Sequence, residues 1–515
     1  MSETRTSKSF RNMRYGMTYQ ITYLIMNFIL RISIIRFLGI TALSLNGLFT
    51  EILSILSLAE MGVGTAITYN LYKPLAQNDH KQIRQLMNLF RKAYHMIALF
   101  MFAAGICLIP VLPYLVKKVD VSNGYLTVVY LMFLIQTCLS YVSSYKALLL
   151  VADQNGWVQA KINLIVRTCF FALSLIVIAT TRNFLCYLAS EIGYTIVFYT
   201  TISKTTDRLY PYLNEHDECN ELDPAKKKEI FRSVRQMFVG KLSNRVLNST
   251  DNILISMLVG TNMVGVYSQY SMLVNGFLRL FAQLNESVVG AVGNIIAVEE
   301  KEKCAEKFGN LTYIFFVAAS VSAIGVYAAA SPFLKVFIGR KYLLDNSVLL
   351  IITINLFFET LKMPLWTVFN AAGYFREEQW ISLAGCVLNI MVSIWWGKTD
   401  GMAGIFWGTF VSLMLMAVCK LIVVARKLYE VHPWTMVFTY SKYFAVFAAE
   451  MLLVRYFTSF SLANNLLDFF CKAGIGLSIA VCLSCGLFCR TRQFSYAKQV
   501  TFSATSNRAW QDFQS

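Results

Sequence analysis

Ionisable and amide side chains recur at helical spacing inside stretches that are otherwise apolar. Asn27 and Arg31 stand four residues apart, on one face of a helix. Arg245, Asn248 and Asn252 repeat that pattern at i, i+3 and i+7, with Asp251 beside them. Ser268, Ser271, Asn275, Arg279, Gln283 and Glu286 step by three and four into a continuous polar stripe. Asn355, Glu359, Lys362, Trp366 and Asn370 share one helical spacing, Asn46, Thr50, Ser54 and Ser57 lead toward Glu60, and Lys146 and Arg167 add isolated cations. An ion at bilayer depth costs at least ~2.5–3.5 kcal/mol, so such groups persist where they line a pathway or meet a partner. The cations Arg31, Lys146, Arg167, Arg245, Arg279 and Lys362 outnumber the carboxylates Asp251, Glu286 and Glu359. Sharing one cavity, they would draw an anion, because a partly desolvated phosphate gains from paired guanidinium donors. That is the chemistry of recognition and passage rather than of bond-making.

Bland alternatives stand beside this one. Glu359 with Lys362, or Arg31 with Asp251, could pair only to hold helices together. Lys146 could snorkel, and the serines, threonines and glycines of the second and eighth spans could serve close packing. On the cavity reading, Asn27, Arg31, Asn46, Arg245, Asn248, Asp251, Asn252, Asn275, Arg279 and Lys362 bind substrate, while Glu60, Lys146, Arg167 and Glu359 are candidates for coupling or gating.

The elements that position these groups are membrane helices. The chain of 515 residues is 56% hydrophobic and only 15% charged, with a mean hydropathy of +0.53. A soluble protein of that size cannot hide so much apolar surface. Fourteen stretches are long and apolar enough to span, near 17–38, 43–71, 92–114, 124–150, 157–180, 184–204, 236–259, 263–296, 309–336, 346–371, 378–396, 402–424, 438–457 and 467–489. The net charge of +17 is topological rather than nucleic-acid-binding, because Lys and Arg crowd into alternate loops. Both termini are then cytoplasmic, and the polar, basic segment before the first span has no secretory leader.

A weak internal repeat supports a doubled architecture. Leu38-Gly39-Ile40-Thr41 is echoed by Val259-Gly260-Thr261-Asn262, each following one long apolar segment and opening another. Six spans separate the copies, so both enter the membrane in the same direction about an axis along its normal. Setting Gly39 on Gly260 matches Asn27 with Asn248 and Arg31 with Asn252. The expected divisions are an N-terminal lobe over 1–204, a cytoplasmic segment over 205–235, a C-terminal lobe over 236–430, a final helix pair over 431–490 and a tail over 491–515.

Other signals are weaker. Most of the twelve cysteines lie in apolar helices and read as small hydrophobes, and Cys482-x-x-Cys485 lacks clustered histidine partners for a metal. No cofactor or metal is implied. The basic segment from His80 to His95 reads as an amphipathic helix on the membrane surface, or as a helix covering the lobe.

Two segments resemble a known family. Leu45-Asn46-Gly47-Leu48-Phe49-Thr50, with Leu58-Ala59-Glu60-Met61-Gly62-Val63-Gly64 and Leu71-Tyr72-Lys73-Pro74, is similar to the second span of Wzx-type oligosaccharide-lipid flippases. These are polysaccharide transporters of the multidrug/oligosaccharidyl-lipid/polysaccharide, MATE-like superfamily. Ser249-Thr250-Asp251-Asn252-Ile253, followed by Gly260 and Val264-Gly265-Val266-Tyr267, resembles that family's seventh span. The resemblance implies an all-helical membrane protein of two six-helix lobes in a V shape plus two C-terminal helices. It also implies a bacterial inner-membrane flippase, not an enzyme, that moves polyprenyl-diphosphate-linked oligosaccharide by alternating access. Membrane lipids, a polysaccharide polymerase and a chain-length regulator are the implied partners. A multidrug or cation antiporter and a lipid II flippase are the rival readings on the same scaffold. A membrane polysaccharide polymerase or glycosyltransferase would need an exposed catalytic loop, but the outer loops are short and the largest loop, near Thr205 to Glu229, carries no compact acid–base or metal motif.

Overall fold

The computed structural model describes residues 5–60, 63–117, 121–153, 155–214, 222, 224, 230 and 250–504, apart from a few side chains in these helices, Glu286 among them. Arg245 and Asn248 lie outside the described residues. Packing divides the chain into two units, Met1–Gly265 and Val266–Ser515. Every regular element among the described residues is helical.

The first unit comprises α1 (Arg5–Leu38), α2 (Ile40–Leu56), α3 (Val63–Gln77), α4 (His80–Cys107), the single turn α5 (Leu112–Leu115), α6 (Asn123–Ala152), α7 (Gly156–Thr181) and α8 (Phe184–Leu209). It also holds α9 (Thr250–Val259) and the start of α10. Its interior is aliphatic and aromatic: Leu48 and Phe49 of α2 are fully buried, and the Phe49 ring meets Tyr130 edge-on at 5.4 Å. Outward faces are apolar too. Ile21, Ile25 and Ile29 form an exposed row along α1, while Met26, Leu30 and Ile34 are buried on its other side. A helix that is greasy both inward and outward has lipid for solvent.

The second unit contains α10 (Thr261–Val298), α11 (Lys301–Phe337), α12 (Asn346–Leu361), α13 (Met363–Ala372), α14 (Phe375–Asp400), α15 (Met402–Val424), α16 (Pro433–Phe457), α17 (Asn465–Gly486) and α18 (Arg492–Ala504). Phe357 and Phe447 stack at 4.0 Å in its core. The α14–α15 contact is close enough that a Cβ on Gly408 would stand 2.2 Å from Ser393 Oγ, the small-residue packing that membrane helices use where lipid removes the hydrophobic drive between them.

Eleven helices among the described residues are long and apolar enough to cross a membrane, matching eleven of the fourteen expected spans. The second expected span is not one helix: α2 gives way to a 3-10 turn at Ser57–Glu60 before α3 begins. Much of the seventh falls outside the described residues, and the eighth, α10, carries the polar stripe. The tenth bends between α12 and α13 at Lys362, where Pro364 withholds a backbone donor. His80 to His95 does not form a separate surface helix. It is the first half of α4, capped by Asp79, whose side chain accepts from Gln82 N at 2.9 Å. Ile83, Leu86, Met87 and Phe90 of that segment are buried, because the amphipathic face packs on its own unit.

Candidate transport site

In the first unit the isolated cations are paired. Lys146 on α6 donates to both carboxylate oxygens of Asp207 on α8, at 2.7 and 2.8 Å, and to Ser203 Oγ at 2.8 Å. Arg167 on α7 meets Glu191 on α8 at 2.7 Å, with both side chains largely buried. The Arg167 guanidinium also lies 4.7 Å from the Tyr194 ring centre, and Tyr194 Oη donates to Asn163 Oδ1 at 2.6 Å. Each pair sits in low dielectric, where breaking one partner leaves an uncompensated charge. Arg31, half-buried on α1, stands near enough to Tyr187 for its charge to act on that phenol, as do Arg167 and Glu191. Arg31 thus lies on α1, which packs against α7, the helix that carries Arg167. Asn27 and Asn46 are half-buried as well, and Thr50 donates back to Asn46 O at 2.6 Å.

Glu60 occupies the break between α2 and α3. Tyr94 Oη donates to its Oε1 at 3.0 Å, and the Tyr141 ring lies 6.3 Å from that of Tyr94. Both tyrosines are buried, so the interruption of the helix places an acid against a phenol rather than against lipid.

The two glycine-centred repeats meet within this unit. Gly39 (φ 87°) and Gly260 (φ 141°) both take backbone conformations that side chains disfavour, and each separates two consecutive helices. Thr41 Oγ1 donates to Asn262 Oδ1 at 3.1 Å, and Thr261 Oγ1 accepts from Lys117 N at 2.9 Å. The helices leading into these glycines differ. Gly39 N bonds Ile35 O, four residues back, whereas Gly260 N bonds Ile255 O, five back, closing a π turn over Ile255–Val259. One added residue in a turn rotates everything before it by about 100°. Asn252 therefore does not share the angular place of Arg31, although the two match by residue count. Asn252 and Asp251 are half-buried, and Asn252 Oδ1 has no hydrogen-bond partner among the described residues.

In the second unit the polar stripe of α10 divides. Ser268 turns inward, as does Asn285 outside the stripe, whose Oδ1 accepts from Thr367 Oγ1. Asn275, Arg279 and Gln283 are exposed on the face of α10, with Asn275 donating to Ser271 Oγ at 2.9 Å. Arg279 has no ion-pair partner among the described residues. Lys362 and Glu359 pair at 2.8 Å at the α12–α13 bend. Their charges act on Lys420 of α15, which is 5% exposed and held by Glu378 of α14 at 2.7 and 2.8 Å. Glu450 on α16 is fully buried and accepts from Ser320 on α11 and from Ser484 on α17, the latter at 2.7 Å.

The structure thus neutralises three of the cations that the sequence tallied as excess, through Asp207, Glu191 and Glu359. Sequence reasoning missed Glu191, Asp207, Glu378, Lys420 and Glu450. A charge inside an apolar run was the available signal for Glu191, Lys420 and Glu450, and it is the same signal that singled out Glu359.

With these arrangements in view, the backbone can be set beside known folds. The lipid II flippase MurJ, in an inward closed conformation, superposes with a TM-score of 0.68 at 13% identity over 92% of this chain and 99% of its own. The chain has the MurJ/MATE fold. A Vibrio cholerae MATE transporter follows at a TM-score of 0.58 and 13% identity, covering 82% of this chain and 99% of that one. The MATE multidrug transporter DinF-BH gives 0.58 at 14% identity, over 83% and 96%. No protein-family model and no curated protein sequence matches the chain.

Proposed function

We propose that this chain is a flippase that moves polyprenyl-diphosphate-linked oligosaccharide repeat units across the bacterial cytoplasmic membrane for assembly of a capsule, exopolysaccharide or O-antigen. The observation that carries this reading is Arg279: an exposed guanidinium with no ion-pair partner among the described residues, on a long helix, in line with Asn275 and Gln283. Such a row is stable at bilayer depth only against water or a polar cargo. Its sign favours a diphosphate over a cationic drug, which weighs against the multidrug or cation antiporter reading. Arg31, half-buried in the first unit, adds a second guanidinium within an apolar helix. The fold shared with a lipid II flippase supports a lipid-linked cargo, and the resemblance of two segments to the Wzx-type family supports a polysaccharide repeat unit over lipid II. The cargo leaves chemically unchanged, since transport requires no bond to break. Both termini face the cytoplasm, and a polymerase and chain-length regulator would receive the delivered units.

The test is translocation of a labelled polyprenyl-diphosphate oligosaccharide in proteoliposomes, scored by accessibility to an impermeant enzyme. Wild type should move the label, Arg279→Ala should lose about 90% of the rate, a change of ~1.4 kcal/mol in the barrier, and Arg279→Lys should retain part. Full activity in Arg279→Ala, with lipid II or a cationic dye moved equally well, would overturn the assignment.

A further inference from the structure

Glu450 is a buried acid for which the transport reading has no use. It sits in α16 between Pro433 and Phe457, with at least about 10 Å of helix separating it from either end. Its side chain is fully enclosed, as are Ser320 of α11 and Ser484 of α17 beside it. The α17 helix reaches this point along a seam of small residues. Gly476, Ala480 and Ser484 belong to its buried row, and a Cβ on Gly476 would stand 2.9 Å from that of Ala328. Aromatic rings close the preceding turns of α16: Tyr443 stacks on Phe316 at 4.5 Å and Phe447 on Phe357 at 4.0 Å.

Both carboxyl oxygens meet serine hydroxyls, Oε2 that of Ser320 and Oε1 that of Ser484 at 2.7 Å. No Lys or Arg among the described residues forms an ion pair with it. On α16, Lys442 lies over the Phe438 ring and Arg455 is exposed. Lys472 of α17 pairs with Asp468, while Lys420 of α15 and Lys362 after α12 are held by Glu378 and Glu359. The titratable neighbours are Tyr443, Tyr313, whose phenol donates to Ser484 O at 3.0 Å, and Cys485. None of these three supplies positive charge. Two hydroxyls satisfy the hydrogen bonds of a carboxylate but not its charge, and an uncompensated ion at such depth does not persist. Calcium takes roughly six to eight oxygens and magnesium a near-octahedral shell, more than one carboxyl and two hydroxyls offer. We propose that Glu450, Ser320 and Ser484 form a binding site for one small monovalent cation, a proton or sodium, whose presence fastens α16 and α17 to α11. A bound proton makes the group a carboxylic acid that donates to one serine and accepts from the other. Bound sodium would be shared by the carboxylate and both hydroxyl oxygens. The bare carboxylate, by contrast, draws in water and loosens the seam. This site is independent of the transported cargo and stands whether or not the flippase assignment holds.

The experiment uses the full chain in lipid nanodiscs. Infrared spectra of wild type minus Glu450→Gln isolate this one carboxyl, and protease cleavage between α16 and α17 follows opening of the pair against pH and sodium. With a proton bound, the difference spectrum at neutral pH shows the carbonyl stretch of a protonated acid, shifted in deuterium oxide and moved again by Ser484→Ala. Opening of wild type then grows as pH rises, by up to about tenfold for each pH unit, because the closed arrangement holds a proton that a water-exposed glutamate gives up. Glu450→Gln carries neither proton nor charge and shows no such dependence. With sodium bound, the spectrum shows a carboxylate instead, and sodium chloride in place of choline chloride protects wild type but not the Gln variant. An ionised carboxyl in a protein whose cleavage responds to neither pH nor sodium overturns the site. So does a pH or sodium response as large in Glu450→Gln as in wild type, since it would belong to other groups.

Discussion

The backbone N–H of Gly265 donates to Ser44 Oγ at 3.0 Å, tying the helix after the second repeat to the helix after the first. Ser44 in turn donates to Ile40 O at 2.8 Å, with Asn262 O also in reach at 3.3 Å. A Cβ on Gly265 would stand 2.3 Å from Ser44 Oγ and 3.0 Å from Ile40 O, so the contact exists because the residue lacks a side chain.

Gly265→Ala should therefore destabilise the protein by about 1–3 kcal/mol, the usual cost of overpacking. Ser44→Gly in the same chain removes the closest atom and should recover part of that loss, though Ile40 O keeps recovery incomplete. Thermal unfolding of the three variants measures this. Strict additivity of the two changes would show that the residues do not touch.

The Arg167–Glu191 pair makes a sharper case. Arg167→Met or Glu191→Gln alone should cost about 3–5 kcal/mol, because each strands a buried partner. The double variant should be more stable than either single one. A double-mutant cycle on purified protein reads the coupling, and a coupling near zero would show that the pair is not formed.

How far these groups could be read from sequence differs by kind. The helical, membrane-spanning nature of the chain is legible in apolar length alone, and eleven of the expected spans are seen among the described residues. The Glu359–Lys362 pair was legible as well, since i, i+3 spacing fixes proximity within one turn. Lys146 and Arg167 were not resolved that way. Their partners Asp207 and Glu191 lie 61 and 24 residues away, and proximity across helices is set by packing that spacing does not encode. The break at Ser57–Glu60 was hidden because α2 and α3 are both apolar, and the rotation at Gly260 because a π turn has no local sequence mark.

Lys420 supplies a third prediction. With its ammonium buried against Glu378 and the ring of Phe369 5.5 Å away, Lys420→Met should leave Glu378 unpaired and cost about 3–5 kcal/mol. Combining it with Glu378→Gln should return most of that loss. Accumulation of folded protein in membranes, followed by fluorescence-detected chromatography, distinguishes the variants.

Glu450 behaves differently, since among the described residues its hydrogen bonds come from the hydroxyls of Ser320 and Ser484. Glu450→Gln keeps an acceptor and the side chain's volume, and should shift stability by less than about 1.5 kcal/mol. Glu450→Ala opens a cavity and strands two hydroxyls among α11, α16 and α17, and should cost ~2–4 kcal/mol. Limited proteolysis between α16 and α17 would report the loosening. Equal protection in all three proteins would show that these helices are held by other contacts.

The wide turn before Gly260 changes which residues of the two repeats correspond. Counting back along the turn rather than along the residues, the counterpart of Arg31 is Asp251. The two repeats therefore carry opposite charges at matching places, so the likeness of their backbones does not extend to their electrostatics.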